Sequence, residues 1–159
     1  MIQAAKSRSK EAGFSLTELV LVIVGGTIIM VAATPALTRV LDSYRVVLAA
    51  QGIASQLQFA RMKSVSSNES FRVEFPSGTN QYLVSSGAAG GEVIAGPFFL
   101  PRNISWVGVP FNATSGKAVF LPTGNVPAGG NGSAQIQNAA GRTFTIAVDI
   151  GGVIRQTSP

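Results

Sequence analysis

"GFSLTELVLVIVGGTIIMVAATPAL", residues 13–37, is an apolar run that carries one charge, Glu18, close to its start. From Leu19 to Leu37 there are 19 residues without a charge, about 28 Å as a helix, against a bilayer core of roughly 30 Å. The segment is long enough to span. Gly25, Gly26 and Pro35 weaken a helix locally, and in a membrane such breaks are tolerated where neighbouring protein satisfies the backbone. Small residues also let helices approach closely. The segment therefore reads as a helix built to pack against other helices. A carboxylate at membrane depth is costly unless paired, so Glu18 either meets a cation when subunits pack or sits at the interface in contact with water.

Upstream, Met1 to Gly13 is short and polar, with Lys6, Arg8 and Lys10 against Glu11. A basic stretch followed directly by an apolar one is the order of an export signal, with the basic end held in the cytoplasm. "VAATPAL" at 31–37 has the small residues of a signal-peptide cleavage site, but the same residues suit helix packing. The whole chain of 159 residues has 12 Lys+Arg and 7 Asp+Glu, net +5. The four charges upstream of residue 13 supply +2 of this, leaving +3 for the rest. Such a residual is slight support for an anionic partner. Cys and His are both absent. Their absence removes a disulfide framework, a thiol nucleophile, a Ser-His-Asp triad and the usual zinc ligands.

Downstream of Pro35 the pattern turns amphipathic. Leu37, Leu41, Tyr44 and Leu48, then Ala49, Ile53, Leu57 and Ala60, step by three or four, which predicts a helix continuing to about Ser67. After "SSNES" the period becomes two: Phe71, Val73 and Phe75 alternate with Arg72 and Glu74, and "PSGTN" turns the chain into "QYLVS". Further strands are expected at 104–109, 118–121, 134–137, 143–150 and 153–156, with Gly151-Gly152 as a two-residue hairpin turn in which both positions take positive φ. The expected fold class is α+β. A long N-terminal helix, with a membrane or filament half and an amphipathic half, packs on a small antiparallel β head. The expected divisions are 1–13, 14–37, 38–68 and 69–159.

These residues resemble a family. "KEAGFSLTELVLVIVGG" is similar to the leader junction of type IV pilins and type II secretion pseudopilins, and "ASQLQFARMKSVSSN", "VFLPTGNV" and "GRTFTIAVDIGGVIR" resemble minor pilins of the GspH/FimT type. The resemblance implies that prepilin peptidase cuts between Gly13 and Phe14 and that the new amino terminus of Phe14 is methylated. It also implies that Glu18, fifth in the mature chain, pairs with the amino terminus of a neighbouring subunit. The implied protein is a minor pilin or pseudopilin, held in the bacterial inner membrane by one span with its head in the periplasm before it joins a filament. Its partners would be other pilin subunits, the peptidase and the membrane. The disulfide found in many relatives is missing here.

No cofactor is expected, and no metal site, because Asp42, Glu69, Glu74, Glu92 and Asp149 are scattered without ligand spacing. An anchored enzyme would need a catalytic constellation that this His-free, Cys-free head does not display. The alternative function is DNA binding in uptake. Some FimT-type relatives grip DNA with a Gly-Arg-x-Arg run in the closing hairpin. Here the corresponding residues are Gly152-Val153-Ile154-Arg155, so the first Arg is missing. The candidate DNA contacts are Arg102, Lys117, Arg142 and Arg155, which must converge to form a patch.

Overall fold

The computed structural model describes residues 15–87, 91–111, 116–128 and 130–158. The junction Gly13-Phe14 lies outside the described residues. Two compact units are present, one through Thr38 and one from Arg39 onward.

In the first unit the chain is helical from Leu16, at the start of α1 (Leu16–Ser67). Ser15 precedes the helix, and its carbonyl accepts the N–H groups of Glu18 at 3.0 Å and Leu19 at 3.1 Å. Helix assignment runs through Gly25, Gly26 and Pro35. Proline has no N–H, so the carbonyl four residues earlier, Val31, loses its helical donor. The hydroxyls of Thr27, Thr34 and Thr38 donate back to carbonyls of the preceding turn. This occupies their polar groups inside the helix. The apolar side chains are nonetheless exposed, Leu21 at 68% and Ile29 at 71%.

The second unit contains the rest of α1 and eight strands: β1 (Phe71–Glu74), β2 (Gln81–Ser86), β3 (Val93–Phe99), β4 (Ile104–Trp106), β5 (Lys117–Phe120), β6 (Gly132–Asn138), β7 (Thr143–Val148) and β8 (Ile154–Thr157). They form two four-stranded sheets, in the orders β3-β2-β1-β5 and β4-β6-β7-β8. All pairings are antiparallel. Alternation places Phe71 and Val73, Tyr82 and Val84, Ala118 and Phe120, Ala134 and Ile136, and Ile146 and Val148 in one core with the helix residues Val46, Ala50, Ile53, Leu57 and Ala60. Each sheet thus covers its apolar face, as period-two patterning requires. Phe75 joins the sheets, its ring 5.3 Å from Trp106 and 5.2 Å from Phe111. The helix ends at Asn68, whose φ of +52° allows the Glu69 N–H to reach the Ser64 carbonyl at 3.3 Å. This is the six-to-one bond of a Schellman cap.

Three local expectations are corrected. The apolar stripe divides: Ala49, Ile53, Leu57 and Ala60 are buried, whereas Leu37, Leu41, Tyr44 and Leu48 are exposed at 62, 48, 68 and 54%. The helical period marks an apolar face but not what covers it. Strand β3 adds to the expected set, and its sequence contains Gly96 and Pro97. It is an edge strand, where a residue without an N–H is tolerated. Finally, only Gly152 of the Gly151-Gly152 pair has positive φ, +70°. Gly152 N–H bonds to Asp149 O at 2.8 Å and Asp149 N–H to Val153 O at 3.0 Å. That pattern describes a three-residue loop closed by a left-handed glycine, which fits strand twist as well as a two-residue turn.

On the other face of β1, Arg72 is 4% exposed. Its Nε donates to Glu74 Oε1 at 2.5 Å and Ser85 Oγ at 2.9 Å, while the Ser85 hydroxyl donates to Glu74 at 2.6 Å. Burial pushes the Glu74 carboxyl up, but the bonds from Ser85 and Arg72 and the charges of Arg72 and Lys117 outweigh it, so the net shift is downward. A depressed carboxyl contributes stability that is present above its ordinary value of 4.5 and lost as pH falls through the lowered value. Arg72→Ala leaves the Glu74 carboxylate with Ser85 and the charge of Lys117 alone and is expected to cost about 1–3 kcal/mol at neutral pH. In chemical unfolding, the gap between Glu74→Gln and the native chain should narrow as pH falls below 4.5 and through the lowered value.

Candidate functional site

Glu18 lies in the first turn of α1, where the helix dipole favours a negative charge. It is exposed, and no described cation pairs with it. The apolar residues that follow, up to Leu37, have an 18-residue window of mean hydropathy 2.3, none of it buried. It is the one described helix long and apolar enough to cross a membrane. A free surface of this kind needs lipid or other apolar helices to cover it.

Within the second unit, three stretches of sequence far apart in the chain meet at Arg61. Its Nε donates to the Gly124 carbonyl at 3.0 Å and its guanidinium to the Gly151 carbonyl at 3.3 Å. Gly124 sits in the turn after β5, closed by its N–H to Leu121 O at 2.8 Å, with φ of +77°. Gly151 belongs to the loop between β7 and β8. Val126 N–H to Ile150 O, 2.9 Å, ties one turn directly to the other. The approach is so close that a Cβ on Gly152 would lie 2.1 Å from the Gly124 carbonyl oxygen. The Ala60-Arg61 pair, the Pro122-Thr123-Gly124 turn and the closing glycine pair are therefore parts of one joint, which locks both sheets to the helix. Their contact was missed in the sequence. The signal lay in the three motifs themselves, each an irregular Gly or Arg position without a local use.

The candidate DNA contacts are distributed over both sheets. Arg142 immediately precedes β7, whereas Arg155 pairs with Ala147 near the other end of that strand, about 17 Å along it at 3.4 Å per residue. Lys117 belongs to the other sheet, where it lies opposite Glu74 and helps hold that carboxyl ionised. Arg102 precedes β4 at the end where Ile104 pairs with Asn138, the same end as Arg142. Only two of the four cations share an end of a sheet. Among the described residues no cluster of acids has the makings of a metal site.

Comparison with known proteins places the fold. Residues 49–152 match the family described as type II transport protein GspH. No curated protein sequence matches the chain. Among solved structures, the type IV minor pilin FimU of Pseudomonas aeruginosa superposes with a TM-score of 0.60 at 14% identity, over 74% of this chain and 94% of that one. The minor pseudopilin EpsH from the type 2 secretion system of Vibrio cholerae gives 0.57 at 15% identity, over 72% and 98%. At such identities the likeness is one of fold: one long N-terminal helix packed on antiparallel sheets. The matched span includes Arg61, Gly124 and Gly152, and so the whole joint.

Proposed function

Since the chain belongs to the GspH family of type II transport proteins, we propose that it is a minor pilin or pseudopilin, a structural subunit of a type IV pilus or type II secretion pseudopilus. The observation that carries this is the exposed apolar start of α1 on a fold shared with a minor pilin and a minor pseudopilin. In the inner membrane, lipid covers that helix. In a filament, helices of other subunits take the place of lipid, and the exposed stripe of Leu41, Tyr44 and Leu48 extends the contact past the span. The head stays in the periplasm and is held in shape by the joint at Arg61. The role is mechanical rather than catalytic.

Prepilin peptidase would release the mature chain by cutting between Gly13 and Phe14, leaving Phe14 as the methylated terminus. Co-expression with a prepilin peptidase should therefore remove 13 residues, and Gly13→Leu should block removal. A terminus after Ala33 or Ala36 would instead mean that the apolar segment is a discarded signal, and the anchor would be lost. Intact mass and amino-terminal sequencing read either result directly. The alternative of a DNA-gripping subunit acting in uptake has less behind it: Val153 stands at the first Arg position of the Gly-Arg-x-Arg run, and the other cations are spread over two sheets.

A further inference from the structure

The second unit has a hollow of about 370 Å³ between α1 and the turn that joins β6 to β7, lined by Arg39, Val40, Ser43, Tyr44, Val47 and Arg142. Its walls carry two guanidinium groups and no carboxylate. The nearest acid in sequence, Asp42, is held by Arg45 at 2.9 Å, and neither Arg39 nor Arg142 has an ion-pair partner among the described residues. The backbone of Arg142 is fixed by its turn. The side-chain carbonyl of Asn138, a residue 4% exposed, accepts the N–H groups of Ala140 at 3.1 Å and Arg142 at 2.9 Å. The Asn138 N–H returns a bond to the Arg142 carbonyl at 3.1 Å. Two like charges facing one hollow repel unless an anion sits between them.

We infer that this hollow binds the phosphate headgroup of an anionic phospholipid, with Arg39 and Arg142 as the phosphate ligands. The inference rests on the membrane-anchored reading given above. Arg39 is the second residue after Leu37 and the first charge beyond the apolar run, so along the helix it lies about 3 Å past the end of the run, and Ser43 about 9 Å. The headgroup layer extends roughly 5–8 Å beyond the hydrocarbon on each side. The arginines therefore belong at phosphate depth. Their forked donors match phosphate oxygens in pairs. Tyr44, 68% exposed, has the amphipathic ring that favours this layer, while Val40 and Val47 give the glycerol and first methylenes an apolar wall. A carboxylate from another subunit would satisfy the charge but would make no use of the position next to the span.

The test uses the full chain purified in mild detergent, mixed with phosphatidylglycerol or phosphatidylcholine and examined by native mass spectrometry. One phosphatidylglycerol should be retained per chain, in preference to phosphatidylcholine. Retention should drop at least roughly tenfold in the Arg39→Gln, Arg142→Gln double variant, since two charge-assisted contacts are removed. Arg45→Gln, whose partner is Asp42, should retain lipid as the native chain does. Equal retention by the double variant, or of both lipids, overturns the site. So does inorganic phosphate if it raises thermal stability as much as the lipid, because the ligand is then a free anion. A dimer lost in the double variant also overturns it, by giving the hollow to a second copy. A chain that is recovered from cells outside the membrane fraction would instead refute the anchor on which the inference depends.

Discussion

Replacing Gly152 with alanine is expected to destabilise the head by about 4 kcal/mol, combining left-handed strain with the loss of contacts at the joint. The backbone part is the smaller one. At φ of +70° a residue with a Cβ costs about 1–2 kcal/mol. The remainder comes from the collision: the added carbon would lie 2.1 Å from the Gly124 carbonyl oxygen and 3.0 Å from Arg61 Nε. The obstacle is backbone, so one turn must move away from the other. That movement breaks the Val126–Ile150 hydrogen bond and draws the Gly124 carbonyl away from Arg61. Gly141→Ala is the matched control. Gly141 also has positive φ, +81°, but nothing stands within 4 Å of its missing Cβ, so only the backbone cost of about 1–2 kcal/mol applies. Unfolding in detergent can be followed through Trp106, the single tryptophan, packed against Phe75 and Tyr82. If the two alanine variants lose equal stability, the close approach of the turns contributes nothing. Against a typical domain stability of 5–15 kcal/mol, the larger loss would leave about 1 kcal/mol at the low end.

That comparison also explains how far the sequence could be read. The long helix was legible because an uninterrupted apolar run of this length has few folded solutions, and because apolar residues stepping by four and three at Ile53, Leu57 and Ala60 require a partner surface. Most strands were legible for the same reason, through alternation at Phe71-Val73 and Ile146-Val148. The joint was not. Arg61 meets Gly124 across 63 residues and Gly151 across 90, and no local pattern encodes a distance of that kind. What local chemistry does encode is irregularity: a glycine held left-handed has a backbone reason to be there, and an arginine on a buried helix face must find acceptors. The edge strand β3 was hidden by the opposite logic, since the glycine and proline that look like a break are compatible with the outermost position in a sheet. The exposed stripe at Leu41, Tyr44 and Leu48 was legible as apolar but not as uncovered, because a helical period does not say which surface covers it.

Glu18→Ala is expected to leave processing and membrane insertion intact while lowering incorporation into filaments by 100-fold or more. The size follows from where the charge goes. In one chain Glu18 is exposed at the first turn of α1, but packed helices would exclude water from it, and an amino terminus of a neighbour left unpaired in such a place costs about 3–5 kcal/mol. Each tenfold change corresponds to 1.4 kcal/mol, so even the lower bound exceeds 100-fold. A second effect acts in the same direction. A carboxylate in the first turn also complements the helix dipole, worth 0.3–1 kcal/mol, and its removal alone would lower incorporation by at most roughly fivefold. The two causes therefore differ in magnitude and can be separated by counting mutant and native subunits in filaments assembled from both. A deficit below about fivefold would assign Glu18 to the stability of its own helix. A deficit of 100-fold, with Phe14 still found as the mature terminus, would assign Glu18 to an ion pair made on assembly, since no described cation pairs with it in the single chain.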